Sequence, residues 1–230
     1  MAVDGLDCAY SRQLVALENI SFNVAAGEKV AIMGGRAAGK STLILILANA
    51  LKHRGGVRLL GIAPKRASRE NIRYLRANVV ALCNDGRRTA LGKHLTTRIQ
   101  REIRAVFRHD SDTASKVLKN WRVDKVWGRE WETLSSGEQQ RIQMAAVELL
   151  APRLLLADNP VNHLDISGRA RFRELLGNPE LTALMATHDL ELARAAASRA
   201  ILLCDGRIAS DGPSADILWN EPLLHAAGVL

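Results

Sequence analysis

What would carry this chain across a bilayer is missing. The longest uninterrupted apolar run, Leu43 to Ala48, has six residues, against the roughly 20 that span a membrane. Nor does the chain open with the basic, apolar and small-residue order of a secretory signal, so an integral membrane protein is not expected. Cysteine is scarce: Cys8, Cys83 and Cys204 lie far apart, are odd in number and form no CxxC pair. This excludes a disulfide framework, implies no zinc site and fits a reducing cytoplasm. Repeats, low-complexity tracts, heptad runs and interdomain linkers are also lacking. With 47% hydrophobic and 24% charged residues over 230 positions, disordered and collagen-like classes are excluded, and one domain with an inserted subdomain is the expectation.

Acidic residues are thin in one stretch. Arg54 to Arg108 holds 14 Lys/Arg against only Glu70, Asp85 and Glu102, in a chain whose net charge is +8. Such a patch meets nucleic acid, anionic lipid or an acidic partner, or is simply a solvated Arg-rich helical surface.

Four apolar runs of strand length, Lys29–Met33, Leu154–Ala157, Leu181–Ala186 and Ala200–Cys204, show no alternation, as strands buried on both faces require. Helical spacing separates them, over Ser41–Leu51, Ile142–Leu150, Arg169–Leu176 and Leu190–Ala197. Strand and helix alternate, so the fold class is α/β with a mainly parallel sheet. Gln13–Val24 alternates instead and ends at Ala25-Ala26-Gly27, which predicts antiparallel strands at the N-terminus. Between about Asp85 and Thr133 there is no strand-length run; Thr97–Phe107 and Thr113–Trp121 read as helices, followed by Trp127 and Trp131. The expected organisation is a core in two parts, residues 1–84 and 134–230, with a helical subdomain at 85–133. A turn at Asp211-Gly212-Pro213 and a short helix over Ser214–Trp219 are expected near the C-terminus.

Gly34-Gly35-Arg36-Ala37-Ala38-Gly39-Lys40-Ser41 matches GxxxxGK[ST], placed between a strand and a helix as the phosphate-loop mechanism requires. Its glycines let backbone N–H groups curl around phosphates, Lys40 reaches the outer phosphates, and the Ser41 hydroxyl, followed by Thr42, faces Mg²⁺. Leu154 to Asp158 is an apolar strand ending in a carboxylate at the same sheet edge, where a Mg²⁺ contact is needed. By itself that pattern identifies nothing. In Leu134-Ser135-Ser136-Gly137-Glu138-Gln139-Gln140-Arg141, Ser135 caps a helix and Glu138 completes a capping box, a string that also reads as a generic helix start.

Taken together, these three strings resemble the ATP-binding cassette (ABC) ATPases, whose signature LSGGQ is similar to Leu134–Glu138 and lies between the two phosphate-site motifs. The resemblance covers nearly the whole chain and implies a P-loop NTPase core with N-terminal antiparallel strands and an inserted helical subdomain. It implies that Tyr10 stacks on adenine, that Asn162-His163-Leu164-Asp165 is a D-loop crossing a dimer interface, and that His188 contacts the γ-phosphate. A softer likeness joins Ala157-Asp158-Asn159-Pro160 and Leu164-Asp165-Ile166-Ser167 to the ATPases of peptide and nickel importers. The implied ligands are ATP and Mg²⁺, the latter held by Ser41, Asp158 and Asn84. The implied partners are a second ABC ATPase subunit, a heterodimer favoured over a homodimer, and transmembrane permease subunits. The implied place is the inner face of the cell membrane.

Two positions depart from that family. After the Mg²⁺ aspartate the family has a glutamate that polarises water; here it is Asn159, a carboxamide with no basic lone pair. General-base help, typically worth about 10²–10⁴ in rate, is missing. At the Q-loop stands Asn84, one methylene shorter than glutamine. The expected function is a transporter subunit, an importer by preference, that binds Mg-ATP and hydrolyses it poorly at its own site. The alternative is a soluble ABC ATPase or ATP-dependent scaffold acting on RNA or DNA or in a multienzyme complex. No aromatic RNA-stacking string supports it, so nucleic acid is not an expected partner.

Overall fold

Chain segments that bury both faces build the centre of the molecule. The computed structural model describes residues 1–11, 14–82 and 110–230. In it β1 (Ala2–Ser11) and β2 (Leu14–Asn23) form an antiparallel pair. Strand β3 (Lys29–Met33) then leads into helix α1 (Lys40–Leu47), and β4 (Arg54–Arg58) returns to pair with β1. Helix α2 (Arg69–Asn78) precedes β5 (Val79–Leu82), and α3 (Ser111–Asn120) precedes α4 (Ser136–Leu150). The remaining elements are β6 (Leu154–Asp158), α5 (Ile166–Leu176), β7 (Thr182–Ala186), α6 (Leu190–Ala196), β8 (Arg199–Cys204), β9 (Arg207–Pro213), α7 (Ser214–Ile217) and α8 (Glu221–Ala226).

The larger sheet has the order β5-β6-β7-β3-β8-β9, parallel from β5 to β8 and antiparallel only at β9. Beside it the smaller sheet runs β2-β1-β4. Every residue of β6 and β7 is buried, which is why these strands read as unbroken apolar runs. Two large clusters fill the faces. One joins β1, β2 and α1 through Leu6, Leu17, Ile20, Ile44 and Leu47. The other joins α3, α4 and α5 through Trp121, Met144 and Phe172. Trp121, 1% exposed, donates from its indole to Glu148, which also receives two bonds from Arg171. This polar tie inside an apolar cluster is fully paired, as burial demands.

Two local readings change and one is borne out. Helix α1 stops at Leu47 and not Leu51, because Asn49 turns left-handed at φ 58 and ends the helix as such residues do. The Ser135 cap and the Ser135–Glu138 capping box expected from the sequence are formed, so α4 starts at Ser136, ahead of the apolar spacing at Ile142. Asp211-Gly212-Pro213 is extended and ends β9; the turn lies at Asp205-Gly206, both left-handed at φ 48 and 75, as a two-residue hairpin turn needs. Thr97–Phe107, Cys83 and Asn84 lie outside the described residues.

Candidate functional site

Strand order decides what meets what. Because β6, β7 and β3 are neighbours and parallel, the segments leaving their carboxyl ends share one edge of the sheet. The loop 34–39 follows β3, Asp158 ends β6, and His188 follows β7. Ligands of open α/β sheets sit at such an edge.

The loop is tightly specified by its glycines. Gly34 has φ 148, and a Cβ there would stand 2.1 Å from the Leu203 carbonyl oxygen. Gly39, at φ 100, would meet the Ala16 carbonyl oxygen and the Leu17 side chain at 2.6 Å. Neither place admits a side chain. Ala37 holds a left-handed φ of 62 although it is not glycine, a conformation costing roughly 1–2 kcal/mol for an L-residue. From below, the Gly35 amide donates to the Ala227 carbonyl at 2.8 Å, so the segment after α8 braces the loop.

Lys40 is 5% exposed, and its ammonium donates to the Gly34 and Gly35 carbonyls at 2.7 Å each. Burial lowers its pKa from the ordinary lysine value, while the neighbouring Asp158 carboxylate raises it. Asp158 is itself buried, at 6% exposure. The His188 imidazole is pushed below its usual range, first by desolvation and then by the Lys40 and Arg36 charges. This edge already holds two cations, which disfavour a third charge on His188. Next to it Asp189 caps α6 through the Leu192 amide and pairs with Arg169 of α5.

A cavity of about 300 Å³ opens over this loop, lined by residues 36–42, Tyr10, His188 and the segment 14–16. That is the lower end of the size range of small-molecule sites. The Tyr10 hydroxyl lies 3.0 Å from the Thr42 hydroxyl, and the Tyr10 ring, Leu14 and Val15 are half exposed beside it. Leu14 and Val15 join the expected Tyr10 in this cavity wall. Their signal was present: apolar residues on the outward side of a hairpin have no core reason to be there.

Asn159 follows Asp158 in a left-handed turn at φ 47. Its amide N–H donates to the Ala186 carbonyl at 2.8 Å and its side-chain NH₂ to Asp158 at 3.0 Å. Asparagine tolerates this backbone region far better than most residues, so the conformation gives a second physical reason for its presence.

Gly34, Gly35, Asp158 and Asn159 do not line the cavity, and neither do the segments 134–138 and 162–165. Ser135 and Ser136 are exposed at the start of α4, where the Ser135 hydroxyl donates to Glu138 at 2.7 Å. Asp165 caps α5, accepting from the Gly168 amide at 2.8 Å, and bonding to its carboxylate lowers its pKa. The two segments adjoin each other: a Cβ on Gly137 would lie 3.3 Å from the His163 carbonyl oxygen, and Gln140 donates to Pro160. The donor set fits Mg²⁺: a buried carboxylate, Asp158, and an exposed hydroxyl, Ser41, are hard oxygen ligands. Mg²⁺ prefers one or two protein oxygens completed by phosphate and water. Among the described residues no cluster of three His, Cys, Asp or Glu could hold a metal by itself.

An edge-of-sheet phosphate loop beside a buried aspartate and a histidine defines a nucleotide-binding cassette. The family model described as ABC transporter matches residues 17–162, and the chain belongs to the ABC transporter family. It is 31% identical to an ABC transporter ATP-binding protein of Streptomyces coelicolor, over 97% of this chain and 86% of that one. To the cobalt import ATP-binding protein CbiO of Rhodobacter capsulatus it is 28% identical, over 100% and 84% of the respective chains. The dimeric cassette MJ0796, solved in a post-hydrolysis state with ADP and Pi, superposes with a TM-score of 0.74 at 24% identity, covering 92% of this chain and 97% of that one. The expected ABC ATPase fold is the fold observed.

Proposed function

We propose that this chain is the ATP-binding subunit of a membrane transporter, an importer by preference, working as one half of a dimer and holding Mg-ATP at a site whose own hydrolysis is impaired. The observation that carries this is the split of the site. Lys40, His188 and the loop residues 36–42 line one cavity, with Asp158 close enough to act on the Lys40 charge, whereas Ser135 to Glu138 start a helix elsewhere. A helix N-terminus attracts anions, and a second subunit is what would bring this one to a γ-phosphate. The importer preference is supported by the likeness to the cobalt import protein. Residues 85–133 are assigned to the helical subdomain, and the complex belongs on the inner face of the membrane. No helix among the described residues is long and apolar enough to cross it.

In this reading the Tyr10 ring with Leu14 and Val15 offers the base an apolar wall. The amides of residues 37–42 and the Lys40 ammonium cradle the phosphates, and His188 bonds to the γ-phosphate. Bound Mg²⁺, held by Ser41 and Asp158, would neutralise phosphate charge. Asn159 holds water by hydrogen bonding alone and takes no proton from it.

Replacing Ser135 tests the shared site. In a heterodimer with an active partner, Ser135→Arg should lower the partner's ATP hydrolysis by about 10²–10³, the cost of losing one preorganised donor to developing charge. This chain's own bound ATP should remain. Loss of the cap costs only about 1 kcal/mol, too little to unfold the chain. Unchanged hydrolysis in a complex that contains an active partner would overturn the shared-site assignment.

A further inference from the structure

We propose that the flank formed by β4, the 3₁₀ turn Pro64–Arg66 and α2 is a docking surface for an anionic lipid bilayer. Val57, Leu59 and Leu75 all enter the same apolar cluster, which anchors the strand, the segment after it and the helix to one core, while their charged residues are exposed. Arg54, Arg58, Lys65, Arg66, Arg69, Arg73 and Arg76 are all exposed, and Glu70 is the one acid among residues 54–78. None of the seven pairs with a carboxylate among the described residues. Asp7 stands opposite Arg54 and Asp4 opposite Gly56 across the β1–β4 ladder, so carboxylates offset charge at that end of the flank. The uncompensated charge is therefore centred on Lys65 to Arg76.

Helical geometry sharpens the patch. Arg69, Arg73 and Arg76 are spaced i, i+4, i+7 and fall on one face of α2, while Leu75 turns inward. Arg76 in the last turn complements the helix dipole, but Arg69 in the first turn opposes it and repels Arg73 four residues on, so helix stability does not account for the whole stripe. Such a stripe is neutralised from outside, which calls for an extended anionic partner.

Single-stranded nucleic acid is the poorer fit. Stacking on bases needs free aromatic faces. The one aromatic on α2, Tyr74, lies off the arginine face with its hydroxyl receiving a bond from Arg153. A bilayer presents many headgroup phosphates in one plane, and long arginine stems reach it without burying the helix. That the chain meets a bilayer at all rests on the transporter reading above.

Sedimentation of the full chain with vesicles tests this. The chain should bind vesicles of phosphatidylcholine mixed with phosphatidylglycerol, not phosphatidylcholine alone, and binding should vanish at high salt. The triple variant Arg69→Gln, Arg73→Gln, Arg76→Gln should bind about a hundredfold more weakly, since each cation near such a surface is worth roughly a factor of five. Its melting temperature should match the parent's, and Lys40→Ala should sediment like the parent. Equal binding to both vesicle types, undiminished binding by the triple variant, or tighter binding to a polyribonucleotide than to the anionic vesicles would overturn the proposal. Vesicle binding by a chain that takes up no Mg-ATP would defeat the transporter reading and leave this surface standing.

Discussion

Lys40→Ala should lower Mg-ATP affinity by at least about a hundredfold, measured by calorimetric titration. The ammonium is buried at the loop and already bonded to the Gly34 and Gly35 carbonyls, so it is held in place before any nucleotide arrives. A charge-assisted hydrogen bond contributes about 1.5–3 kcal/mol, and each 1.4 kcal/mol is tenfold in affinity. Loss of the positive charge facing a triphosphate adds to that. The substitution also leaves two carbonyls without their donor, so the variant's melting transition without nucleotide must be compared with the parent's. Equal affinity for parent and variant would refute the phosphate-loop reading.

Asn159→Glu should raise ATP turnover at this chain's site by about 10²–10⁴, the usual scale of general-base help. Against that gain stands the backbone: glutamate at φ 47 is strained by roughly 1–2 kcal/mol, a loss of stability that melting would show. The assay belongs in the complete complex, where the second subunit closes the site. Turnover that stays flat while nucleotide binding is intact would mean that another group activates water here.

Sequence and structure agree where burial writes itself into the chain. Strand β3 was legible residue for residue because all but its first position are buried, and Gly34 to Ser41 because their chemistry requires those residue types. The order β5-β6-β7-β3-β8 was not legible, since pairing joins residues far apart in the chain, and it is this order that brings Asp158 and His188 to Lys40. Strand β4, with Val57 alone buried, and the polar helix α2, with Leu75 alone buried, had too little apolar pattern to reveal them. The left-handed Ala37 left no trace in composition either. Nor did the Ala227 brace beneath Gly35, a contact between chain segments nearly the whole sequence apart.

Bound nucleotide tests the central claim most directly. The assembled complex is incubated with Mg²⁺ and photoreactive azido-ATP labelled on either the α- or the γ-phosphate, freed of unbound label, and crosslinked. The account predicts that this chain carries both labels equally, because it holds ATP without cleaving it. Label from the α-phosphate alone would show that ADP remains and that Asn159 does not impair hydrolysis; no label of either kind would show that the site does not hold nucleotide.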